Sequence, residues 1–537
     1  MGWNFADVWE VIAEQLPDAP AQVHGERRIT WAEFDQRADG VARALLDAGL
    51  QQQDKVAQYL TNAPEYLESL FGAYKAGMVP VNTNYRYGDD ELLYLWDNAD
   101  VAAVVFHGTF TERIEVIRDR LPDVRLWLWV DDGVGGCPEW AVPYEEVATS
   151  ATERVVAPWG RSDDDLYLLY TGGTTGQPKG VMWRQGDLFA VLNSSATVRY
   201  EGEEGDLEVV RRTLHQPGPV HLPACPLMHG TAAFTSFAML STGGSVVTLT
   251  NRSFDVVELL DTIEAEGVNS MAIVGEAFAK PMLRALDTEP DRWDISSLFL
   301  VVSSGVMWSE ETKQGLLRHH PHMLLVDQFS SSEALGMGSS ISTADGATRT
   351  ARFQLGENAR VIDHEGNDVE PGSDQVGRVA VKGRQPIGYY KDPDKTAATF
   401  IEIDGERYSV PGDFAMVEAD GTLTLLGRGS VCINTGGEKV YPEEVEEALK
   451  THPAVHDAVV VGVPDDRFGE AITAVVEVAP QGEVEEAELV DHVRGQLARY
   501  KAPRHVVVVD SIARSPNGKV DYRRLRDLAT TQVTASA

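Results

Sequence analysis

The chain has 537 residues, 43% apolar and 24% charged, which suits roughly three or four folding units with cores large enough to need no disulfide staples. Lys and Arg total 46 against 83 Asp and Glu, and the formal charge of −37 excludes tight non-specific binding to nucleic acid and disfavours an anionic membrane surface. Cys137, Cys225 and Cys432 form no CxxC pair, the first residues show no basic-then-apolar leader, and no apolar run reaches bilayer length. The expected setting is therefore the cytoplasm, with no integral membrane association.

Thr30 followed by Glu33 reads as a capping box that opens an amphipathic helix to Leu46, stopped by Gly49. Strand-like runs follow at 56–60, 101–106 and 126–130, and again at 166–170, 246–249, 271–274 and 298–302, with helical patterns between them. This alternation predicts an α/β fold of parallel sheets covered by helices on both faces. Near residue 350 short strands punctuated by glycine begin, 377–383 and 421–427 among them, which predicts a β-rich subdomain. After Gly427 the texture shifts again. Pro442 suits the first position of a helix through Lys450, and Pro453 blocks its continuation. Strands at 458–463 and 472–478, a helix at 487–497 and a strand at 505–509 complete a compact α+β unit. The expected division is a large N-terminal region, 1–429, and a small C-terminal domain, 430–537, ending in a frayed tail from Ala529.

The densest chemistry follows the apolar strand at 166–170. Thr171, Gly172, Gly173, Thr174, Thr175 and Gly176 lead through Gln177 and Pro178 to Lys179 and Gly180. The glycines allow close backbone approach with successive N–H groups aimed at an anion, the threonines add hydroxyl donors, and Lys179 adds a positive charge. That set suits a polyphosphate. It is not a P-loop of GxxxxGK[ST] type, because Pro178 precedes the lysine and Gly180 follows it.

This loop resembles the phosphate-binding signature of the adenylate-forming superfamily: acyl-CoA synthetases, peptide-synthetase adenylation domains and firefly-type luciferases. Other segments resemble the superfamily's further motifs, in order, along nearly the whole chain. Ser303, Ser304 and Gly305 resemble the turn beside adenine. Residues 328–333 resemble the aromatic-G-x-T-E motif, and 408–413 the motif whose aspartate binds ribose. Gly427 and Arg428 match the start of the hinge motif, and 517–519 the C-terminal lysine motif. The resemblance implies ATP and Mg²⁺, with Gln328 and Phe329 at the nucleotide and the Phe329 ring stacked on adenine. It implies Ser332 donating to the α-phosphate, Glu333 on Mg²⁺, and Asp413 with Arg428 at the ribose. Lys519 would bridge carboxylate and α-phosphate oxygens during adenylation. Such chemistry brings two anions together, so it rests on positioning and charge neutralisation.

For the second half-reaction, Gly436 and Gly437 resemble the segment lining the pantetheine channel of CoA ligases, which implies CoA as co-substrate and a rotating C-terminal domain. Ser430 stands at the hinge where relatives commonly carry Asp or Lys, Val431 follows where an aspartate is usual, and Ser330 replaces a glycine ahead of Glu333. His229, in a Pro-Leu-Met-His-Gly run, resembles the histidine at the acyl pocket entrance, with Phe234, Val274 and Gly275 as pocket walls. No Lys or Arg sits in that apolar region, which suits a hydrophobic carboxylic acid as the small-molecule partner. Segments 170–187, 427–434 and 436–444 resemble actinobacterial ligases of bulky acids, the sterol side-chain ligases nearest among them. An amine or a carrier-bound thiol stays open as the alternative acceptor, and a homodimer as the open expectation for assembly. Intact Glu333, Asp413, Arg428 and Lys519 argue against a non-catalytic scaffold.

Overall fold

The computed structural model describes residues 2–171, 177–196, 198–306, 308–428, 433–435, 438–465, 469–479, 484–515 and 520–536. Among these, the strands form three sheets. One has the order Gly388–Tyr389, Lys179–Arg184, Leu166–Thr171, Val79–Asn82, Lys55–Tyr59, Val101–His107, Leu126–Val130, Val142–Pro143. All its strands run the same way except Lys179–Arg184, which is antiparallel to both its neighbours. Val101–His107 is buried at every position, as expected of a strand with helices on both faces.

The largest sheet starts as a parallel layer: Pro20–His24, Ser245–Thr248, Val220–Pro223, Ser270–Ile273, Leu300–Ser304 and Leu324–Ser331. It then continues antiparallel through Ala334–Ser342, Arg352–Leu355, Thr422–Arg428 and Asp413–Val417, the β-rich subdomain that the glycine-punctuated stretch predicts. The α/β expectation therefore holds, with element ends shifted by up to three residues in strands such as Val455–Asp465 and Gly469–Val478.

The capping box forms as read: Glu33 N–H donates to Thr30 Oγ1 at 3.2 Å, and Thr30 N–H donates to the Glu33 carboxylate at 2.8 Å. The helix it opens, Trp31–Asp47, buries Trp31, Phe34, Ala38, Val41, Ala42 and Leu45 along one stripe. Beside that helix lies a fully buried ammonium. Lys75 Nζ sits 2.9 Å from Glu10, 2.7 Å from Asp35 and 2.9 Å from Asp39. Burial alone would depress the Lys75 pKa, but these three carboxylates outweigh it and hold it above its usual value. Lys75→Met would leave the acids facing one another without their shared cation. The expected loss is about 3 kcal/mol of stability, read from the urea midpoint of tryptophan fluorescence.

The third sheet is formed by Glu438–Val440, Ile433–Thr435, Gly469–Val478, Val455–Asp465 and His505–Val509. The helix Pro442–Lys450 starts and ends where Pro442 and Pro453 place it. The frayed tail is a correction: Tyr522–Ser536 is a helix, with Leu525 and Ala529 fully buried and Val533 packed against the same cluster. Their spacing of four residues puts all three on one face, over the valines of the third sheet. No helix among the described residues is long and apolar enough to cross a membrane.

Candidate active site

Four adjacent parallel strands carry the candidate residues at their carboxyl ends. Val220–Pro223 leads to His229, Ser270–Ile273 to Val274 and Gly275, Leu300–Ser304 to Gly305, and Leu324–Ser331 to Ser332 and Glu333. In open α/β sheets ligands bind outside this edge. Gly275 (φ +52°) and Gly305 (φ +94°) both occupy backbone conformations that side chains disfavour, and Gly275 N–H donates to Ser303 Oγ at 2.9 Å. Two strand ends are thereby fastened into tight turns.

The eight-stranded sheet is tied to the same edge by asparagines that the sequence reading missed. Buried Asn82 donates to the carbonyls of Tyr170 (2.9 Å) and Met228 (2.7 Å) and accepts from Tyr170 N–H (2.6 Å). It thus links the strand Leu166–Thr171 to the residue before His229. Asn62, just beyond the neighbouring strand Lys55–Tyr59, holds the same segment, donating to Cys225 O (3.0 Å) and accepting from Leu227 N–H (2.7 Å). The available signal was an amide at or just beyond the end of an apolar strand.

Ser332 and Glu333 form the two-residue turn between Leu324–Ser331 and Ala334–Ser342. A β-bulge between Phe329 and Ser331 precedes it, where Ser330 replaces the family's glycine, and Ser330 Oγ accepts from Gly336 N–H at 3.3 Å. Three side chains fix the turn. Trp183 Nε1 donates to Ser332 O at 2.9 Å, Ser409 Oγ donates to Glu333 O at 2.7 Å, and Tyr389 Oη donates to Glu333 Oε1 at 2.8 Å. Ser409 also brings the 408–413 motif alongside: Asp413 is buried at the head of its strand, in register with Arg428.

Glu333 is 8% exposed, and among the described residues no Lys, Arg or His pairs with it. A buried carboxylate with one neutral donor fits a hard divalent cation, and Mg²⁺ is commonly held by one or two carboxylates plus substrate phosphates. The described residues contain no dedicated cluster of three or more metal-ligating side chains.

Lys179 opens the strand Lys179–Arg184, opposite Thr171, and its ammonium pairs with Asp392. His229 is half-buried at the N-cap of helix Gly230–Leu240. Phe234 is buried, its ring 6.1 Å from that of Tyr167 and 6.4 Å from that of Trp183, and Val274 is buried too.

The Phe329 ring is 7% exposed and packs on Phe353 at 5.5 Å inside the β-rich subdomain. Gln328 is the partly exposed neighbour. Gly172, Gly173, Thr174, Thr175, Ser430, Gly436, Gly437 and Lys519, with the Arg428 side chain, lie outside the described residues.

Comparisons agree with the geometry. Residues 9–390 match the family model described as AMP-binding enzyme, and 444–519 match the AMP-binding enzyme C-terminal domain. The chain is 41% identical over 540 residues to a medium/long-chain-fatty-acid–CoA/3-oxocholest-4-en-26-oate–CoA ligase of Mycolicibacterium smegmatis, covering 98% of this chain and 97% of that protein. It is also 41% identical over 539 residues to a 3-oxocholest-4-en-26-oate–CoA ligase of Rhodococcus rhodochrous, covering 98% and 96%. Among solved structures, ATP-bound MatB from Rhodopseudomonas palustris superimposes with a TM-score of 0.81 at 26% identity, covering 99% of each chain. An anthranilate CoA ligase with anthranoyl-AMP gives 0.84 at 21% identity over 99% of this chain and 98% of that one, a likeness of fold alone.

Proposed function

The chain belongs to the AMP-binding enzyme family, and from that premise we infer an AMP-forming acid–CoA ligase whose acid is bulky and hydrophobic. The enzyme activates a carboxylic acid with ATP to an acyl-adenylate, then transfers the acyl group to CoA. In the first step a carboxylate oxygen bonds to the α-phosphorus and pyrophosphate leaves. In the second the CoA sulfur bonds to the acyl carbon and AMP leaves. Medium- and long-chain fatty acids and steroid acids such as 3-oxocholest-4-en-26-oate, named for the relatives, are the proposed substrates.

The observation that supports this best is the fixed turn bearing Glu333, which follows the strand paired with Leu300–Ser304 and is fastened to Ser409, four residues before Asp413. In this reading Lys179 and the loop before it receive the β- and γ-phosphates, Asp413 and Arg428 receive the ribose, and Ser332 donates to the α-phosphate. Glu333 holds Mg²⁺, which when bound supplies neutralisation of the phosphate charge. The role proposed for Lys519 is to bridge carboxylate and α-phosphate oxygens during adenylation, and that for Gly436 and Gly437 is to let the thiol pass. Residues 430–537 move as the mobile C-terminal domain about Ser430, and the setting is the cytoplasm.

The test is mass spectrometry of purified enzyme with ATP, Mg²⁺ and a panel of fatty, aromatic and steroid acids, each with CoA, with simple amines and with neither. Acyl-CoA formed from the long-chain and steroid acids is the expected result. Turnover confined to small aromatic acids rejects the proposed substrate class, and amides in the amine reactions would move the acceptor away from CoA.

A further inference from the structure

The strand leaving the phosphate loop has a partner from far along the chain. Gly388–Tyr389 pairs antiparallel with it, Gly388 opposite Met182 and Tyr389 opposite Val181. Ile387 N–H donates to Met182 O (2.9 Å) and Tyr390 N–H donates to Gly180 O (2.8 Å), extending the ladder at both ends. Residues 388–392 are thus a strap laid along the exit of the loop, and the strap ends at Asp392.

Asp392 is itself held from two sides. Its Oδ1 accepts from Lys395 N–H at 2.9 Å, capping helix Pro393–Thr399, and its carbonyl accepts from Thr396 Oγ1 at 2.7 Å. Thr396 Oγ1 in turn accepts from Tyr389 N–H at 2.9 Å. The other carboxylate oxygen, Oδ2, takes the Lys179 ammonium. The lysine and the Lys395 N–H together hold the Asp392 carboxyl below the usual carboxylate range.

We propose that Asp392 is the resting counter-ion of Lys179, parking the ammonium on the strap until a polyphosphate takes it over. Of the two partners the aspartate is anchored by its cap, while the lysine swings on a flexible four-carbon stem, so it is the lysine that moves. The pair is partly exposed, 37% and 27% for the two side chains, which makes it weak enough for a multiply charged phosphate to displace. Asp392 therefore acts as a positioning residue that lowers nucleotide affinity by competing for one cation. The inference rests on reading 171–180 as the polyphosphate loop.

Asp392→Asn is the clean variant, because asparagine caps helices as well as aspartate while removing the charge. Titration calorimetry with inorganic pyrophosphate, and separately with ATP, should show about fivefold tighter binding than the parent chain, with an unchanged unfolding midpoint. The gain should vanish when the same change is made in a Lys179→Ala background. A gain of equal size in both backgrounds would mean plain charge repulsion and would overturn the proposal, as would no gain with Lys179 present. Asp392→Ser, also a capping side chain, repeats the measurement should the amide disturb the turn. If Lys179→Ala alone leaves pyrophosphate binding intact, the polyphosphate reading itself fails, a result separate from the other two.

Discussion

Glu333→Gln should lower ATP-dependent pyrophosphate release by about 10³-fold, the scale on which loss of one preorganised electrostatic contact to a reacting phosphate or oxyanion acts. The substitution keeps shape. Glutamine fills the same volume, and its carbonyl oxygen can still accept from Tyr389 Oη, which lies 2.8 Å from the carboxylate in the parent chain. The Ser409 and Trp183 contacts are made to backbone carbonyls and are untouched. What disappears is the negative charge that suits a divalent cation in a buried setting. A coupled pyrophosphate assay at saturating acid measures the loss, and raising Mg²⁺ should recover little of it. A variant that kept more than a tenth of parental activity would take Glu333 out of the adenylation machinery.

Lys519→Ala should divide the two half-reactions. The lysine is proposed to act where negative charge builds between the carboxylate and the α-phosphate, so adenylation should fall by about 10³-fold. Thioester formation from a chemically prepared acyl-adenylate should stay within about twofold, because that step has the CoA thiol attacking a carbonyl with AMP as leaving group. Rapid-quench measurement of each half-reaction decides the matter. Equal losses in both would assign the lysine to general binding or to the fold instead.

Most elements were legible because local chemistry sets them. Pro442 and the Thr30–Glu33 pair fix helix starts with their own atoms, and the alternating apolar strands need only be covered. The motifs at His229, Val274, Gly305 and Glu333 were legible for the same reason: each follows the carboxyl end of its own apolar strand. Hidden from the sequence was what long-range pairing brings together. Nothing near Tyr389 or Asp392 announces that one reaches Glu333 and the other Lys179, because a two-residue strand places them. The terminal helix was overlooked because two of its three inward residues, Ala529 and Val533, are small among threonines.

The strap also bears on biosynthesis. Every other strand of the eight-stranded sheet has been translated by Arg184, yet its edge along the loop exit stays open until Gly388 and Tyr389 leave the ribosome. Ser409 and Asp413 follow later still. A chain terminated before Gly388, however well its early layers fold, lacks the donor on Glu333 and the strand that closes this edge. Translation products that stop between Glu333 and Gly388 would thus carry an unfastened Glu333 turn and an exposed sheet edge.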